Sequence, residues 1–340
     1  MRYRVFAKSI PGPKYITKGW QCQDSSDILD LGFAQAVAVA DGHGSSDCFR
    51  SELGSAFAIQ VALNQTESFF KTVCEESETP IQFGETGIAY FKYSIWNEWR
   101  KAVKEDWANH LKSHAVLGEG EVRFESVSDK YKTRFLSKDE AILEKYLFAA
   151  YGTTLLLAIA IESQLLLLQI GDGSCVVLQK NGEFRVPVPP DEENFLNVTV
   201  SLCEDDANLK IRHVVLDCDP DSPTTPVAVF LSTDGVDDCY PVYRNEQHLY
   251  KLYTIILENI LSAGYEATEA EIVENLLPGM TAKSSQDDIS LAFLVSEDID
   301  VLREAFEGIH LAYKPRIDIV ENPNAEVNQG EDKAADTEEE

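Results

Sequence analysis

Positive charge is scarce in this chain of 340 residues: 29 lysines and arginines stand against 58 aspartates and glutamates, a formal net charge of −29. A surface so negative repels nucleic-acid phosphates and anionic lipid, so neither is expected as a partner, whereas divalent cations and basic protein segments are. Long apolar runs are also missing. The most apolar stretch, Leu155 to Ile170, is interrupted by Glu162-Ser163-Gln164 and is too short to span a bilayer. The opening residues, Met1-Arg2-Tyr3-Arg4-Val5-Phe6-Ala7-Lys8, lack the apolar segment of a signal peptide. The chain reads as a soluble, cytoplasmic protein. Its seven cysteines (22, 48, 74, 175, 203, 218 and 239) are odd in number and form no CxxC pair. That argues against a zinc ribbon or a thioredoxin-like redox site and for reduced, mostly core thiols. No glycine-rich loop of the P-loop type occurs.

Apolar material is nevertheless plentiful, with 44% hydrophobic and 10% aromatic residues. A chain of this length and composition builds two domains or one large domain with insertions, not a disordered or fibrous polymer. Strands are expected at 33–40, 153–161, 165–170, 175–179, 211–216, 227–231 and 289–295, where apolar runs are punctuated by Gly, Asp and Ser. Helical spacing marks 46–70, 89–110, 249–261, 269–277 and 299–309; Phe91, Ile95, Trp99, Val103 and Trp107 form one clean stripe. Such stripes speak for core packing, not for a cofactor. Hairpins at both ends with a long helical pair between them suggest a layered α+β domain. The polar stretch 117–140 reads as a surface loop or insertion. Residues 321–340 carry eight acids and one lysine without apolar periodicity, an acidic tail expected to be disordered.

Four acidic sites share one placement, at the end of an apolar run. Asp41 follows Ala36-Val37-Ala38-Val39-Ala40, Asp172 follows Leu165 to Gly171, Asp234 follows Val229 to Thr233, and Asp287-Asp288 precede Ile289 to Phe293. Taken singly, an Asp-Gly pair after a strand is first of all a turn. As a set, carboxylates converging at one rim would repel strongly unless cations sat between them. Oxygen ligands of this kind suit Mg²⁺ and Mn²⁺, and a paired-metal site suits displacement at phosphorus.

Six segments in order carry a resemblance: Gly12-Pro13-Lys14-Tyr15-Ile16 to Gln21-Cys22-Gln23-Asp24, Val39-Ala40-Asp41-Gly42-His43-Gly44, Tyr151-Gly152-Thr153-Thr154, Gly171-Asp172-Gly173, Leu231-Ser232-Thr233-Asp234-Gly235-Val236, and Ser285-Gln286-Asp287-Asp288-Ile289-Ser290. Together they resemble the metal-dependent serine/threonine protein phosphatases of type 2C, in particular bacterial members with a Gln-Asp first motif. The resemblance implies a four-layer α-β-β-α sandwich, two central antiparallel sheets flanked by helix pairs. It implies a catalytic domain over 1–315, with a flap near 183–210. It further implies that Asp41 bridges two Mg²⁺ or Mn²⁺ ions, with the Gly42 carbonyl on one and Asp234 and Asp287 on the other. Asp24 would hold metal-bound water, and Asp172 with Asp238 would match a third, weaker metal position. A hydroxide shared by the metals would attack the phosphorus of phosphoserine or phosphothreonine. His43 matches the residue thought to protonate the leaving oxygen, its alternative being a group that only orients water. An imidazole beside so many acids is expected to have a raised pKa.

The sequence departs from the family twice. Gln23 stands where many members carry Glu, and Gly19 stands where the family has its phosphate-holding Arg. Lys18 and Lys14 are the nearby cations, each either a point charge for phosphate or a solvated loop lysine. The acids of 191–206 (Asp191, Glu192, Glu193, Glu204, Asp205 and Asp206) would favour substrates with basic flanks if they belong to the flap, and are otherwise a solvated loop. The implied partners are a phosphoprotein substrate and a cognate Ser/Thr kinase. A catalytically silent binding module on the same fold and a small-molecule phosphoesterase are the competing readings.

Overall fold

The computed structural model describes residues 1–76, 82–113, 127–135, 137, 139–190 and 199–312. Ten strands run through it: β1 (Tyr3–Ile10), β2 (Ser25–Asp30), β3 (Ala34–Ala40), β4 (Leu155–Ile161), β5 (Gln164–Ile170), β6 (Ser174–Gln179), β7 (Phe184–Arg185), β8 (Arg212–Asp217), β9 (Pro226–Ser232) and β10 (Ile289–Ser296). They form two five-stranded sheets, in the orders β1-β10-β9-β6-β7 and β2-β3-β4-β5-β8. Every pairing is antiparallel.

The near-continuous apolar runs follow from where the two faces of each strand go. Successive side chains alternate between faces, and here both faces are covered. Val37, Val39, Leu156, Leu165 and Leu167 of one sheet meet Val177, Val229, Leu231 and Leu294 of the other in a core between the sheets. The alternate residues Ala36, Ala38, Leu157, Ile159 and Leu168 face outward, against helices Ser51–Glu76 and Glu85–Ser113. On the opposite outer face Val176, Phe230, Leu291 and Phe293 pack beneath helices Asn245–Ala263 and Ile299–Ala312. The result is the expected four-layer sandwich. Within helix Glu85–Ser113 the buried stripe is Ile88, Phe91, Ile95, Trp99, Val103 and Trp107, and the Trp99 indole N–H is satisfied by the Gly54 carbonyl at 2.9 Å.

The structure differs from the sequence reading in several places. β1 and β2 lie outside the expected strands: in β1 (YRVFAKSI) Arg4, Lys8 and Ser9 interrupt the apolar residues, and β2 (SSDILD) is a polar edge strand without an apolar run. β5 and β6 do not form a hairpin. Gly171-Asp172-Gly173 carries the chain from one sheet to the other, β5 pairing with β4 and β8 while β6 pairs with β7 and β9. Part of the expected loop 117–140 is a helix, Asp129–Phe135, because Phe135 is buried edge-on against Phe49. The expected helix 269–277 belongs to a longer run, Tyr265–Glu271 continuing through one wide turn, Ile272–Leu276, to Leu277–Met280. Residues 114–126, 191–198 and the tail 321–340 lie outside the described residues. No helix among the described residues is long and apolar enough to cross a membrane.

Candidate metal centre

The site forms where strand ends from both sheets meet. Asp41 follows β3, and its backbone is gripped by the segment leading into β4. The Asp41 N–H donates to Thr154 Oγ1 at 2.9 Å. The Asp41 carbonyl accepts from the Thr154 N–H at 2.9 Å and from Thr153 Oγ1 at 2.8 Å. One residue on, the Gly42 N–H donates to the Gln23 carbonyl at 3.1 Å and the His43 N–H to the Gly152 carbonyl at 3.0 Å. A Cβ on Gly42 would stand 2.5 Å from the Gln23 oxygen and 2.6 Å from the Ser51 oxygen. Glycine at this position is a packing requirement, not only a turn preference.

Asp172 sits on the sheet-to-sheet crossing. Gly171 holds φ +103°, a backbone conformation open to glycine, and its carbonyl accepts from the Arg212 guanidinium at 2.7 Å. Thr199 Oγ1 donates to Asp172 Oδ2 at 2.5 Å. Asp234 opens the short helix Asp234–Asp237 directly after β9 and Thr233. These three acids are brought together: Asp41, Asp172 and Asp234 each offer a carboxylate oxygen, and the three oxygens lie within 4.8 Å of one another. Asp24 is buried beneath them, its Oδ2 accepting from Thr233 Oγ1 at 2.7 Å and Ser290 Oγ at 2.9 Å.

Asp287 and Asp238 are neighbours of this triplet, not members of it. Asp287 is delivered by Gln286, a non-glycine residue at φ +60°, and its carbonyl accepts from Thr281 Oγ1 at 2.6 Å. Its Oδ1 accepts from the Asp288 N–H at 2.9 Å, and its Oδ2 pairs with the ammonium of Lys14. Asp238 is exposed at the end of the turn begun by Asp234.

A family model described as protein phosphatase 2C matches residues 11–276. The chain belongs to the protein phosphatase 2C family. No curated protein matches it. Solved structures similar to it include the Mycobacterium tuberculosis serine/threonine phosphatase PstP/Ppp (13% identity over 87% of this chain and 100% of that one, TM-score 0.48). A bacterial serine phosphatase (11% identity, 87% and 98%, TM-score 0.48) and the Staphylococcus aureus serine/threonine phosphatase Stp1 (12%, 87% and 96%, TM-score 0.44) are similar too. Its activity is the metal-dependent hydrolysis of phosphoserine and phosphothreonine in proteins.

The phosphatase's acids hold their protons strongly. Burial, then the charges of Asp24, Asp234 and Asp172, pushes the Asp41 carboxyl well above the usual carboxylate range. Burial, then Asp172, Asp238 and Asp287, raises Asp234 to about 7. Burial raises Asp24 to about 8, against the opposing pull of its bonds from Thr233 and Ser290. Carboxylates that crowd and repel in this way are the donor set that an oxygen-preferring divalent cation relieves. The residues therefore fit the family's metal, with Asp41, Asp172 and Asp234 the ones that would hold it.

His43 departs from expectation. Burial lowers its pKa below the ordinary value, and the acids Asp172 and Glu204 only partly oppose this. The imidazole is therefore neutral at neutral pH. The flap acids are also less free than the sequence suggests. Glu204 and Asp206 pair with Lys210 at 2.7 and 3.5 Å, and Asp205 pairs with Arg100 at 3.1 Å; Asp191, Glu192 and Glu193 lie outside the described residues. Gly19 occupies a turn at φ +70°, which explains glycine there, while the Lys18 ammonium lies 4.5 Å from the Trp20 ring centre.

Two more acids support the site, Asp288, which the sequence marks beside Asp287 without a role, and Asp237, which it does not mark. Asp288 is a bracket, its carboxylate accepting from the Gly12 N–H at 2.6 Å and the Gln23 N–H at 2.7 Å. Asp237 accepts from Ser174 Oγ at 2.7 Å and so ties the Asp234 turn to the strand that follows Asp172; burial raises its pKa to about 6. The doubled acids Asp237-Asp238 and Asp287-Asp288 were the available signal.

Proposed function

We propose that this phosphatase uses Mg²⁺ or Mn²⁺ held by Asp41, Asp172 and Asp234, with Asp287, Asp238 and the Gly42 carbonyl completing positions for two ions and a weaker third. The convergence of the three carboxylate oxygens within 4.8 Å carries the reading. When bound, the cations supply the charge that activates a water and neutralises the phosphoryl oxygens. The chain's own residues do the rest. Thr153, Thr154 and Gly152 fix the 41–43 loop through its backbone, so the Asp41 carboxylate and the His43 ring enter the site in one orientation. Asp24, anchored by Thr233 and Ser290, accepts a hydrogen bond from water without moving. His43, neutral and half-buried, orients water, and it donates to the seryl or threonyl oxygen only after taking up a proton.

The substrate we assign is a phosphoprotein with basic residues around its phosphoserine or phosphothreonine, because the chain carries a net charge of −29. Such a substrate implies a cognate Ser/Thr kinase and a signalling role in the cytoplasm. Phosphate release from a phosphothreonine peptide, with Mn²⁺, Mg²⁺ or chelator, on wild type and Asp234→Asn, tests the reading. Metal-dependent release lost in Asp234→Asn supports it. Release that persists in chelator, or in the variant at the wild-type rate, overturns it. Peptides with basic and acidic flanks test the preference, which equal rates would remove.

A further inference from the structure

Lys14 is placed on Asp287 by the backbone around it. It lies in the one-turn helix Pro13–Ile16, whose entry is stapled to the residue after Asp287 by the bond from the Gly12 N–H to Asp288 Oδ1. The approach is so close that a Cβ on Gly12 would stand 2.4 Å from the Asp287 carbonyl carbon. From there the Lys14 ammonium reaches Asp287 Oδ2 while staying 4.6 Å from the Tyr15 ring centre. Tyr15 is itself buried. The lysine and aspartate side chains are 40% and 31% exposed, so the pair is open to exchange with solvent ions.

Both oxygens of Asp287 are engaged. Oδ1 accepts from the Asp288 N–H, a bond fixed by the chain, and Oδ2 holds the ammonium, a bond that a flexible side chain makes and releases. A divalent cation that takes Asp287 at Oδ2 therefore meets the Lys14 ammonium as a competing charge. The charge of Lys14 also reaches Asp238 and Asp288, where it opposes the rise in their pKa values, so its field covers this whole flank of the site.

We infer that Lys14 is a resident counter-ion of Asp287 that competes with the divalent cation for this carboxylate and thereby sets the metal affinity of the site. Without a cation on Asp287 it neutralises the acid; with one, its ammonium swings out toward the open face. The inference rests on the assignment of Asp287 as a metal ligand under Proposed function.

Calorimetric titration of Mn²⁺ into the full chain separates the two ideas. The proteins are wild type, Lys14→Met, Lys14→Gln, Asp287→Asn and the double variant Lys14→Met/Asp287→Asn, each with folding checked by circular dichroism. Removing the ammonium should tighten Mn²⁺ binding by roughly fivefold, the size of a part-exposed ion pair, in both Lys14 variants. Asp287→Asn should weaken binding, and in its background Lys14→Met should add nothing. If Asp287→Asn weakens binding but both Lys14 variants bind Mn²⁺ as wild type or more weakly, the counter-ion role is overturned and Asp287 stands as a ligand. If Asp287→Asn binds as wild type, the ligand assignment falls and takes the inference with it.

Discussion

Asp24 and Thr233 stand 209 residues apart in sequence, and the threonine hydroxyl donates to the aspartate at 2.7 Å. The bond joins the loop before β2, in one sheet, to the loop after β9, in the other. The same hydroxyl oxygen accepts from the Ser290 N–H at 2.9 Å. Thr233→Val keeps the shape and removes both bonds, taking the acceptor from the Ser290 N–H and leaving Asp24 Oδ2 with Ser290 Oγ as its remaining donor. Loss of a hydrogen bond to a charged or orphaned buried group costs about 2 kcal/mol. Urea denaturation should show a loss of that order for Thr233→Val and a much smaller one for Thr233→Ser, which keeps the hydroxyl. Equal losses in the two variants would mean that methyl packing, not the hydroxyl, matters here.

The raised acids make the metal-free protein sensitive to rising pH. Asp24, Asp234 and Asp237 have folded pKa values of about 8, 7 and 6, against roughly 3.9 for an unfolded aspartate. Between these limits the folded state binds more protons than the unfolded state, so stability falls as pH rises. The penalty is absent below about pH 4, grows from there and is complete only above about pH 8. In chelator, melting temperature should therefore drop steadily from pH 5 to pH 8. A cation relieves that repulsion, so the gain on adding Mn²⁺ should be larger at pH 8 than at pH 5. A gain independent of pH would show that these carboxylates are not the ones the metal meets.

Much of this could be read in the sequence, and what could not has a common cause. Strands such as β3 and β9 announce themselves because both faces are buried, which turns alternation into a continuous apolar run with Asp-Gly at its end. β2 gives no such signal: Asp27 and Leu29 in the same strand are an exposed acid and a partly covered apolar residue on a sheet edge. The acids Asp41, Asp172 and Asp234 were legible as strand-end carboxylates. Their supports were not, since Thr153 on the Asp41 carbonyl and Lys14 on Asp287 each join residues more than 100 positions apart. The neutral state of His43 was hidden for a related reason. Neighbouring acids can be counted in a sequence, but the desolvation that outweighs them depends on packing.

Gly235 follows a proposed metal ligand and shows how tightly the ends of the neighbouring strands β9 and β10 close on the site. A Cβ there would stand 2.0 Å from the Asp288 carbonyl oxygen and 3.2 Å from Ile289 Cγ1. The obstacle is backbone on β10's approach, which cannot rotate away as a side chain would. Gly235→Ala should therefore cost about 3 kcal/mol or more, the upper end of overpacking penalties, and weaken Mn²⁺ binding by moving Asp234 away from Asp41. Gly279, whose Cβ would meet nothing within 4 Å, is the control. Its alanine variant should melt as wild type or slightly above. A Gly235→Ala protein with unchanged melting and metal binding would show that the Asp234 turn is free to shift.

The 41–43 loop depends on a part-buried ion pair that touches none of the acids of the site. Arg50 Nη2 bonds Asp106 Oδ2 at 2.7 Å, and the Tyr151 hydroxyl donates to the same oxygen at 2.5 Å. Tyr151 in turn precedes Gly152, whose carbonyl receives the His43 N–H and where an added Cβ would lie 2.6 Å from His43 Cδ2. Helix Glu85–Ser113, together with Arg50 just before helix Ser51–Glu76, thus holds the residue next to Gly152, and through it His43, by one phenol. Tyr151→Phe removes only the hydroxyl and leaves the ring in its core. Supporting residues of this kind typically cost about 10-fold to 100-fold in activity when altered. Peptide turnover should fall mainly in kcat with KM held, because the loss lies in the orientation of His43 rather than in substrate binding. A variant of His43→Gln should then be hardly affected by adding Tyr151→Phe, since the phenol would act through the imidazole. Additive losses in the double variant would place the effect of Tyr151 elsewhere, on the Asp41 backbone that Thr153 and Thr154 also hold.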